Sequence, residues 1–158
     1  MTGQFNRRYL DGALPRELGR ASRKGESVSI VILDLDHLKK INDEFGHVMG
    51  GDEALKLFAN TLKTMCREED TLCRYAGDEF LIILYDTTLD VAKERAIQWR
   101  NSLKKLPSNQ KFGITFSAGV ATFPDHGSTG EEVLIQADRA LYNAKKQGRD
   151  RIIAAEIK

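Results

Sequence analysis

Residues 27–35 read SVSIVILDL, a run of β-branched and aliphatic side chains with one acid near its end. A short run that is apolar on both faces is typical of a strand in the middle of a sheet. Downstream, apolar residues recur three or four positions apart over 38–45 and over 55–66, which predicts two helices. Because both faces of such a strand must be covered, the sequence predicts helices packed on each side of a sheet.

A β-hairpin is the second recognisable feature. Thr71–Tyr75 and Glu79–Tyr85 have strand composition and flank the turn residues Ala76-Gly77-Asp78. Helices interleaved with strands, together with one hairpin, predict an α+β fold of the ferredoxin-like kind, a mixed sheet surrounded by helices. The remaining predicted elements are helices over 6–23, 89–106 and 131–147 and strands over 112–123 and 151–155, the former strand bent or bulged at Gly119.

The composition is that of an ordinary globular domain. With 158 residues, 41% hydrophobic and 30% charged, the chain is expected to form a single domain over residues 1–158. Lys and Arg exceed Asp and Glu by only one, which argues against nucleic-acid binding through a basic surface. Two cysteines, no signal-peptide pattern and no apolar run of ~20 residues predict a cytoplasmic domain without membrane contact.

Two acids, Asp34 and Asp36, stand at the carboxyl end of the apolar strand. Their alternate positions place both side chains on one face of the sheet. The helix predicted after them presents free N–H groups, and Lys39 and Lys40 follow in its first turn. Carboxylates for a divalent cation, with N–H groups and lysines for phosphate oxygens, would form a polyphosphate–Mg²⁺ site. Asp36 is equally suited to be the helix N-cap, so the sequence leaves both of its roles open.

A second pair of acids, Asp78 and Glu79, lies at the predicted hairpin tip. A Gly-Asp turn would by itself explain Asp78 without any function. If the hairpin pairs beside the strand that carries Asp34, however, three carboxylates converge and repel one another unless a divalent cation is bound. Such a cation would position and polarise a phosphoryl group for in-line displacement.

Along its whole length the chain resembles the GGDEF domain of bacterial diguanylate cyclases. The resemblance implies a nucleotide-cyclase fold related to polymerase palms, and condensation of two GTP into cyclic di-GMP with release of two pyrophosphates. It also implies a homodimer, since each domain holds one GTP, and a catalytic piece excised from a longer signalling protein. The matching segments are TGQFNRRYLD (2–11), LDLDHLKKINDEFGH (33–47), GDEAL (51–55), RYAGDEF (74–80), ITFSAGVA (114–121) and ADRALYNAKKQGRDRI (137–152).

The resemblance also implies a metal site and its chemistry. Asp34 and Asp78, with the Leu35 carbonyl, match the metal ligands, and Glu79 matches the adjacent acid that helps to hold the cation. The implied cofactor is Mg²⁺ or Mn²⁺, two ions per active site. Asp78 also matches the group that activates the 3′-hydroxyl, a role made reasonable by the lower pKa of a hydroxyl beside a metal.

Further residues match the family's nucleotide-binding groups. An Asp carboxylate that accepts from the guanine N1–H and N2–H₂ disfavours adenine, which lacks that donor pair. Asn42 and Asp52 match the residues at the guanine edge, with His47 nearby, and Gly77 matches the point where the backbone approaches the nucleotide. Lys39, Lys145 and Arg149 match the cations around the triphosphate, and Lys39 is also the group that would stabilise transition-state charge. Lys145 and Arg149 also have an interpretation without function, as solvated cations at the end of a helix.

Arg67 and Asp70 match the RxxD inhibitory site of the family, five residues ahead of AGDEF. An arginine can contact guanine O6 and N7 as a fork, while the acid accepts from the ring N–H groups. The resemblance therefore implies that the product cyclic di-GMP binds here and inhibits the reaction. An exposed ion pair at a helix end is the alternative interpretation.

The chain departs from the usual family pattern at three places. Ala76 stands where the first glycine is usual, and its methyl group would crowd the nucleotide or exclude a positive φ. The turn between His47 and Asp52 is one residue longer than the common form. The acid that usually precedes Thr2-Gly3 is absent.

Two other functions are compatible with the same residues. A catalytically silent GGDEF domain would bind GTP or cyclic di-GMP as a sensor and release no pyrophosphate. A cyclase that uses ATP would make a different cyclic dinucleotide, which Asp52 disfavours.

Overall fold

A computed structural model describes residues 7–156 as helices around one five-stranded sheet. The strand order is β2-β3-β1-β4-β5; β4 and β5 pair in parallel, and the other neighbours are antiparallel. The predicted α+β fold with a mixed sheet and a hairpin is confirmed. The elements are α1 (Arg7–Lys24), β1 (Val28–Leu35), α2 (Leu38–Phe45), a π-helical turn (His47–Asp52), α3 (Glu53–Met65), β2 (Thr71–Ala76), β3 (Glu79–Tyr85), α4 (Leu89–Lys105), a 3₁₀ turn (Pro107–Asn109), β4 (Phe116–Phe123), α5 (Gly130–Lys146) and β5 (Ile152–Ala154).

Strand β1 forms the centre of the sheet, and all eight of its residues are buried. Successive side chains point to opposite faces, so the strand contributes to two cores. Val31 and Leu33 belong to the core beneath α2, α3 and α4, which contains Phe58 and Trp99. Ile32 and its neighbours of the same parity belong to the core beneath α1 and α5. Burial on both faces is the arrangement that the continuous apolar run predicts.

Strand β4 is shorter than the sequence pattern predicts, because it begins at Phe116 rather than at residue 112. The side chain of Asn109 holds the preceding residues in a turn: its Nδ2 donates to the Leu103 and Ile114 carbonyls, and its Oδ1 accepts from Ile114 N–H. Gly113 adopts a φ of 61° in that turn. The segment over 112–115 is strand-like in composition, but these contacts keep it out of the sheet.

Gly119 does not bend or bulge β4, since its register with β1 is continuous from Val28 to Leu35. The glycine instead allows α5 to approach the sheet. A Cβ at this position would lie 2.0 Å from the Ala137 carbonyl oxygen and 2.4 Å from the Leu141 nitrogen. Both atoms are backbone, so a methyl group could be accommodated only if α5 moved away from the sheet.

Cys66 and Cys73 are both free thiols, and burial raises their pKa values to about 12 and about 11. Within residues 7–156, no helix combines the length and the apolarity that crossing a bilayer requires.

We expect Gly119→Ala to destabilise the protein by about 3 kcal/mol, since it forces α5 off the sheet. The matched control is Gly12→Ala in α1, where a Cβ would meet nothing within 4 Å. That change should be neutral or stabilise the fold by up to about 1 kcal/mol, because alanine is the better helix former. Urea unfolding of both variants measures the difference, and equal free energies of unfolding would contradict the close approach of α5.

Candidate active site

The sheet brings the end of β1 beside the β2–β3 hairpin. Asp34 is paired with Glu79 in the antiparallel register, and Leu35 N–H donates to the Asp78 carbonyl oxygen at 3.3 Å. Asp34 is thereby placed next to Asp78, close enough for the two carboxylates to repel each other. This juxtaposition of β1 with the hairpin tip is the one that the sequence predicts for the two acids.

Asp34 has the largest pKa shift among the acids of the site. The residue is only 7% exposed, and burial is the largest cause that raises its pKa from 3.8 to about 6, with the neighbouring Asp78 carboxylate adding to the shift. Lys145 Nζ donates to Oδ2 and opposes the shift. Oδ1 is buried and has no hydrogen-bond partner. A buried carboxylate oxygen without a partner is costly unless a further donor or a cation reaches it.

A cavity of about 450 Å³ opens over these two acids. Its wall combines the carboxylates of Asp34 and Asp78 with a group of cations, Lys39, Lys145 and Arg149 among them. Carboxylates suit a divalent cation, and lysine and arginine suit phosphate oxygens. The combination has the chemistry of a site for a metal-bound polyphosphate, and α2, the hairpin and α5 each contribute to it.

Glu79 occupies a different position from the other two acids. It lines a neighbouring groove between α1 and α5 rather than the cavity of Asp34 and Asp78. Burial raises the pKa of Glu79, Lys145 opposes the shift, and Asp138 adds to it. Among residues 7–156, no three His, Cys, Asp or Glu side chains are arranged so that they could hold a metal ion together. Two acids of the predicted three therefore share the cavity.

Of the two roles left open for Asp36, the structure contradicts the helix cap; a role toward a metal stays a prediction, and the residue lines the cavity. His37, in the left-handed conformation at φ 57°, occupies the N-cap of α2 without a side-chain cap. The Asp36 carboxylate turns instead to other parts of the chain: it accepts from the hydroxyls of Thr115 and Ser117 at 2.7 and 2.6 Å and from Asp150 N–H at 3.0 Å. With these donors on both oxygens, its role is to tie β1 to β4 and to the turn after α5.

The residues predicted to contact guanine lie around α2 and the π-helical turn. Asn42 Oδ1 is buried and has no partner, and a Cβ on Gly51 would lie 1.9 Å from it. The segment from His47 to Asp52, one residue longer than the common form, is a π-helix, a rare conformation that occurs mostly as a single turn. Asp52 is exposed at the end of this turn, where α3 begins, and the side chain of His47 lies outside the described part of the chain.

The predicted inhibitory pair has a different geometry from a simple Arg67–Asp70 ion pair. Asp70 is bound by Arg95 of α4, whose Nη1 and Nη2 donate to its two oxygens at 3.3 and 2.7 Å. Both side chains are buried, 8% exposed for Arg95 and 2% for Asp70, and the guanidinium lies 5.4 Å from the centre of the Trp99 ring. Arg67 is exposed and contributes its backbone N–H to Asp70 at 2.7 Å.

The hairpin turn shows why Ala76 replaces glycine without strain. Ala76 pairs with Glu79 after a register shift in β2, and it is not among the described residues with positive φ. Gly77 has open space around its Cα, and its carbonyl accepts two hydrogen bonds from the Arg74 guanidinium at 3.0 and 2.5 Å. The conformation at position 76 is therefore one that alanine adopts freely.

Several residues of the site carry no sequence signal of their own. Asp43 lines the cavity one turn after Lys39 and reads as an ordinary solvated helix acid. Arg74 fixes the hairpin turn through the carbonyl three residues on, and Arg95 reaches Asp70 across 25 positions. Only the i, i+3 spacing of Arg74 and Gly77 is visible in the sequence, and any turn contains such a pair.

Comparison with known proteins identifies the family. The family described as diguanylate cyclase, GGDEF domain, matches residues 1–151. Diguanylate cyclase DgcP of Pseudomonas aeruginosa is 38% identical over 158 residues, and response regulator PleD of Caulobacter vibrioides is 39% identical over 158 residues. The matches cover 98% and 97% of this chain but only 23% and 35% of those proteins, so the chain spans about a quarter to a third of the relatives it matches.

Solved structures give the same result for the fold. The GGDEF domain of YfiN (TpbB) from Pseudomonas aeruginosa has a TM-score of 0.90 at 31% identity, with 100% of both chains covered. The GGDEF domain of DgcB from Caulobacter crescentus, solved in complex with c-di-GMP, has a TM-score of 0.85 at 29% identity and covers 96% of this chain and 91% of that one. The predicted palm-like nucleotide-cyclase fold is thereby confirmed. With the family match over residues 1–151, these similarities show that the chain belongs to the GGDEF-domain family of diguanylate cyclases.

Proposed function

We propose that this chain condenses two molecules of GTP into cyclic di-GMP and releases two pyrophosphates. The observation that carries the proposal is the buried Asp34 carboxylate, which lies beside Asp78 with one unpartnered oxygen, in a cavity whose wall carries both acids and cations. A buried acid in this setting would be a poor structural choice, because its ionised form is destabilised. The same acid is well suited to a divalent cation, which would supply the missing partner.

The residues present fit such a cation. Asp34 and Asp78 would hold it together with the Leu35 carbonyl, and Glu79 would contribute from the adjacent position. We propose two ions, Mg²⁺ or Mn²⁺, in each active site. When bound, the metal would neutralise phosphate charge and lower the pKa of the attacking 3′-hydroxyl.

The chain's own side chains would bind and orient the nucleotide. Lys39, Lys145 and Arg149 would contact the triphosphate, and Lys39 would stabilise the charge that develops during phosphoryl transfer. Asp52 and Asn42 would contact the guanine edge, with His47 nearby and Gly77 next to the phosphates. The buried Asn42 Oδ1 lacks a donor in the free protein, and the guanine N–H groups would supply one.

Cyclisation requires two copies of the domain. The 3′-hydroxyl of each GTP would attack the α-phosphorus of the other, so that two new phosphodiester bonds form, two bonds to pyrophosphate break and two hydroxyl protons are lost. Asp78 would accept a proton from the hydroxyl. Because the relatives are much longer than this chain, we propose that regulatory regions outside it bring the two domains together.

We also propose that cyclic di-GMP inhibits the reaction at Arg67 and Asp70. The GGDEF domain of DgcB from Caulobacter crescentus has been solved in complex with c-di-GMP, so binding of this product has a precedent in the family. The Arg67 guanidinium is exposed and so available to a guanine. Asp70 is held in a fixed position by Arg95, which would orient its remaining lone pairs toward the ligand.

The direct test is to incubate concentrated protein with GTP and Mg²⁺ and to separate the nucleotides by chromatography. We expect a cyclic di-GMP peak, and we expect Asp78→Ala to reduce its rate of formation by about 100- to 1,000-fold. The control is Asp125→Ala, which removes an exposed carboxylate after β4 and should leave the rate unchanged. If the wild type bound GTP or cyclic di-GMP but released no pyrophosphate, a sensor function would replace the proposed reaction.

The raised pKa of Asp34 predicts a specific pH dependence of stability. Its pKa of about 6 in the folded protein exceeds the unfolded value of 3.8, so the folded state binds this proton more tightly. The resulting stabilisation is complete below about pH 4 and disappears as the pH rises through about 6. In metal-free urea unfolding, the stability of Asp34→Asn relative to wild type should therefore rise between these pH values and then level off. A difference that stays constant with pH would exclude the proposed shift.

Product inhibition can be tested separately from turnover. Arg67→Ala should weaken cyclic di-GMP binding by about 10- to 100-fold, the usual effect of losing a charge-assisted bidentate contact. Isothermal titration calorimetry with cyclic di-GMP measures this directly, and Lys63→Ala on exposed α3 is the matched control for the loss of one positive charge. Unchanged affinity in Arg67→Ala would remove the residue from any product site.

A further inference from the structure

The turn between α5 and β5 has an unusual backbone. Arg149 and Asp150 are consecutive non-glycine residues with positive φ, at 62° and 50°. Each costs free energy relative to ordinary backbone conformations, and such residues persist only where the surroundings hold them. Arg149 N–H donates to the Ala144 carbonyl at 2.9 Å, which closes the end of α5. Asp150, by contrast, is bound by distant parts of the chain.

Asp150 is held from one side by α4. Arg100 Nε donates to its Oδ1 at 2.9 Å and to its backbone carbonyl at 3.1 Å, and Arg100 Nη2 donates to Oδ2 at 3.2 Å. Lys104 Nζ donates to the same Oδ2 at 2.6 Å. Because Arg100 binds both the side chain and the main chain of Asp150, it fixes the orientation of the peptide as well as the position of the carboxylate.

Asp150 is also held by Asp36, the residue that follows β1. Its backbone N–H donates to Asp36 Oδ2 at 3.0 Å, and the Asp36 carboxylate is itself fixed by hydroxyl donors from Thr115 and Ser117. Asp36 is 4% exposed and stands two residues after Asp34. The turn is thus bound between the strand that carries the principal acid of the cavity and a helix on the other side of the sheet.

Arg149, immediately before Asp150, contributes to the wall of the cavity. Its guanidinium makes no ion pair or hydrogen bond with the residues that the structure describes, whereas its carbonyl accepts from Arg151 Nε at 3.0 Å. A long cationic side chain that has no partner of its own depends on its backbone for its placement. Its position relative to a phosphate is therefore set by the contacts of Asp150.

We propose that Arg100 is a positioning residue for triphosphate binding. It acts through Asp150, whose contacts with Arg100 and Asp36 keep Arg149 directed at the cavity. Arg100 lies on α4 and does not line the cavity. The inference rests on the proposed function, because the phosphate that Arg149 contacts is that of GTP.

Equilibrium binding of a non-hydrolysable GTP analogue in the presence of Mg²⁺ tests the inference without requiring turnover. We expect Arg100→Met to weaken binding by about tenfold, the effect typical of removing a residue that orients a ligating group. The melting temperature should fall by only a few degrees, since the pair is partly exposed, at 28% and 30% of the two side chains, and Asp150 keeps Lys104 as a partner. Arg100→Lys, which keeps a donor for the carboxylate, should bind with intermediate affinity. Lys93→Met, which removes a charge from an exposed position of the same helix, should bind like wild type.

A double-mutant cycle separates positioning from a general electrostatic effect. If Arg100 acts through Arg149, then Arg100→Met should cause no further loss in an Arg149→Met background. In the unliganded protein, hydrogen exchange of the Asp150 amide should be faster in Arg100→Met than in wild type or Lys93→Met, because the turn then keeps only the Lys104 contact to α4 and loses the one to its main chain.

The possible failures are distinguishable. If the wild type does not bind the GTP analogue, the proposed function fails and the inference fails with it. If the wild type binds but Arg100→Met binds equally well, or if the losses from Arg100→Met and Arg149→Met add, the proposed function stands and the positioning role is overturned. Unchanged exchange of the Asp150 amide in Arg100→Met would likewise overturn it.

Discussion

The burial of one carboxylate, that of Asp34, is the constraint on which the site depends. Strand β1 is apolar on both faces, and its pairing with β3 and β4 carries the acid at its end into a largely water-free position. An ionised carboxylate there needs a positive partner, and Lys145 provides it from the last turn of α5. That contact requires α5 to lie close against the sheet, which the absence of a side chain at Gly119 allows. The neutralisation of Asp34 therefore depends on the close packing of α5 against the sheet.

Much of this arrangement follows from local patterns in the sequence. The continuous apolar run predicts a central β1, the turn residues between two β-rich segments predict the hairpin, and together they bring Asp34 to Asp78. These predictions succeed because strand burial and turn chemistry are set by neighbours in the sequence. The separation of Glu79 from the other two acids could not be predicted, since residues 78 and 79 lie at the same hairpin tip and Glu79 is the cross-strand neighbour of Asp34. Only the folded surface shows that Glu79 lines the groove between α1 and α5.

The predictions that fail concern side chains whose partners are far away in the chain. Asp36 has the residue type and position of a helix cap, but His37 takes that place and the donors to the Asp36 carboxylate lie 79, 81 and 114 positions further on. The exposed Arg67–Asp70 ion pair, the alternative interpretation of this segment, is not formed: the Asp70 carboxylate is paired with Arg95 across 25 positions, and Arg67 binds it through the backbone N–H. Strand β4 starts late because the Asn109 amide bonds the chain around Ile114. A polar side chain has several chemically equivalent roles, and only the tertiary fold selects one of them.

The charges of the cavity bear on how it would bind the highly charged ligand proposed for it. In the free protein, Lys145 neutralises Asp34 through one carboxylate oxygen, and the other oxygen has no partner. In the proposed complex, the divalent cation would neutralise the acid and the triphosphate would neutralise the lysine, so each buried charge would exchange one partner for another of the same sign. Arg149 differs, because its guanidinium has no partner to exchange among the described residues, and its proposed contribution depends on how firmly its backbone is held. The position of a side chain that forms an ion pair in the free protein is set by that pair, whereas the position of an unpaired side chain is set by the backbone turn that carries it. We attribute the dense set of contacts around Asp150 to this difference.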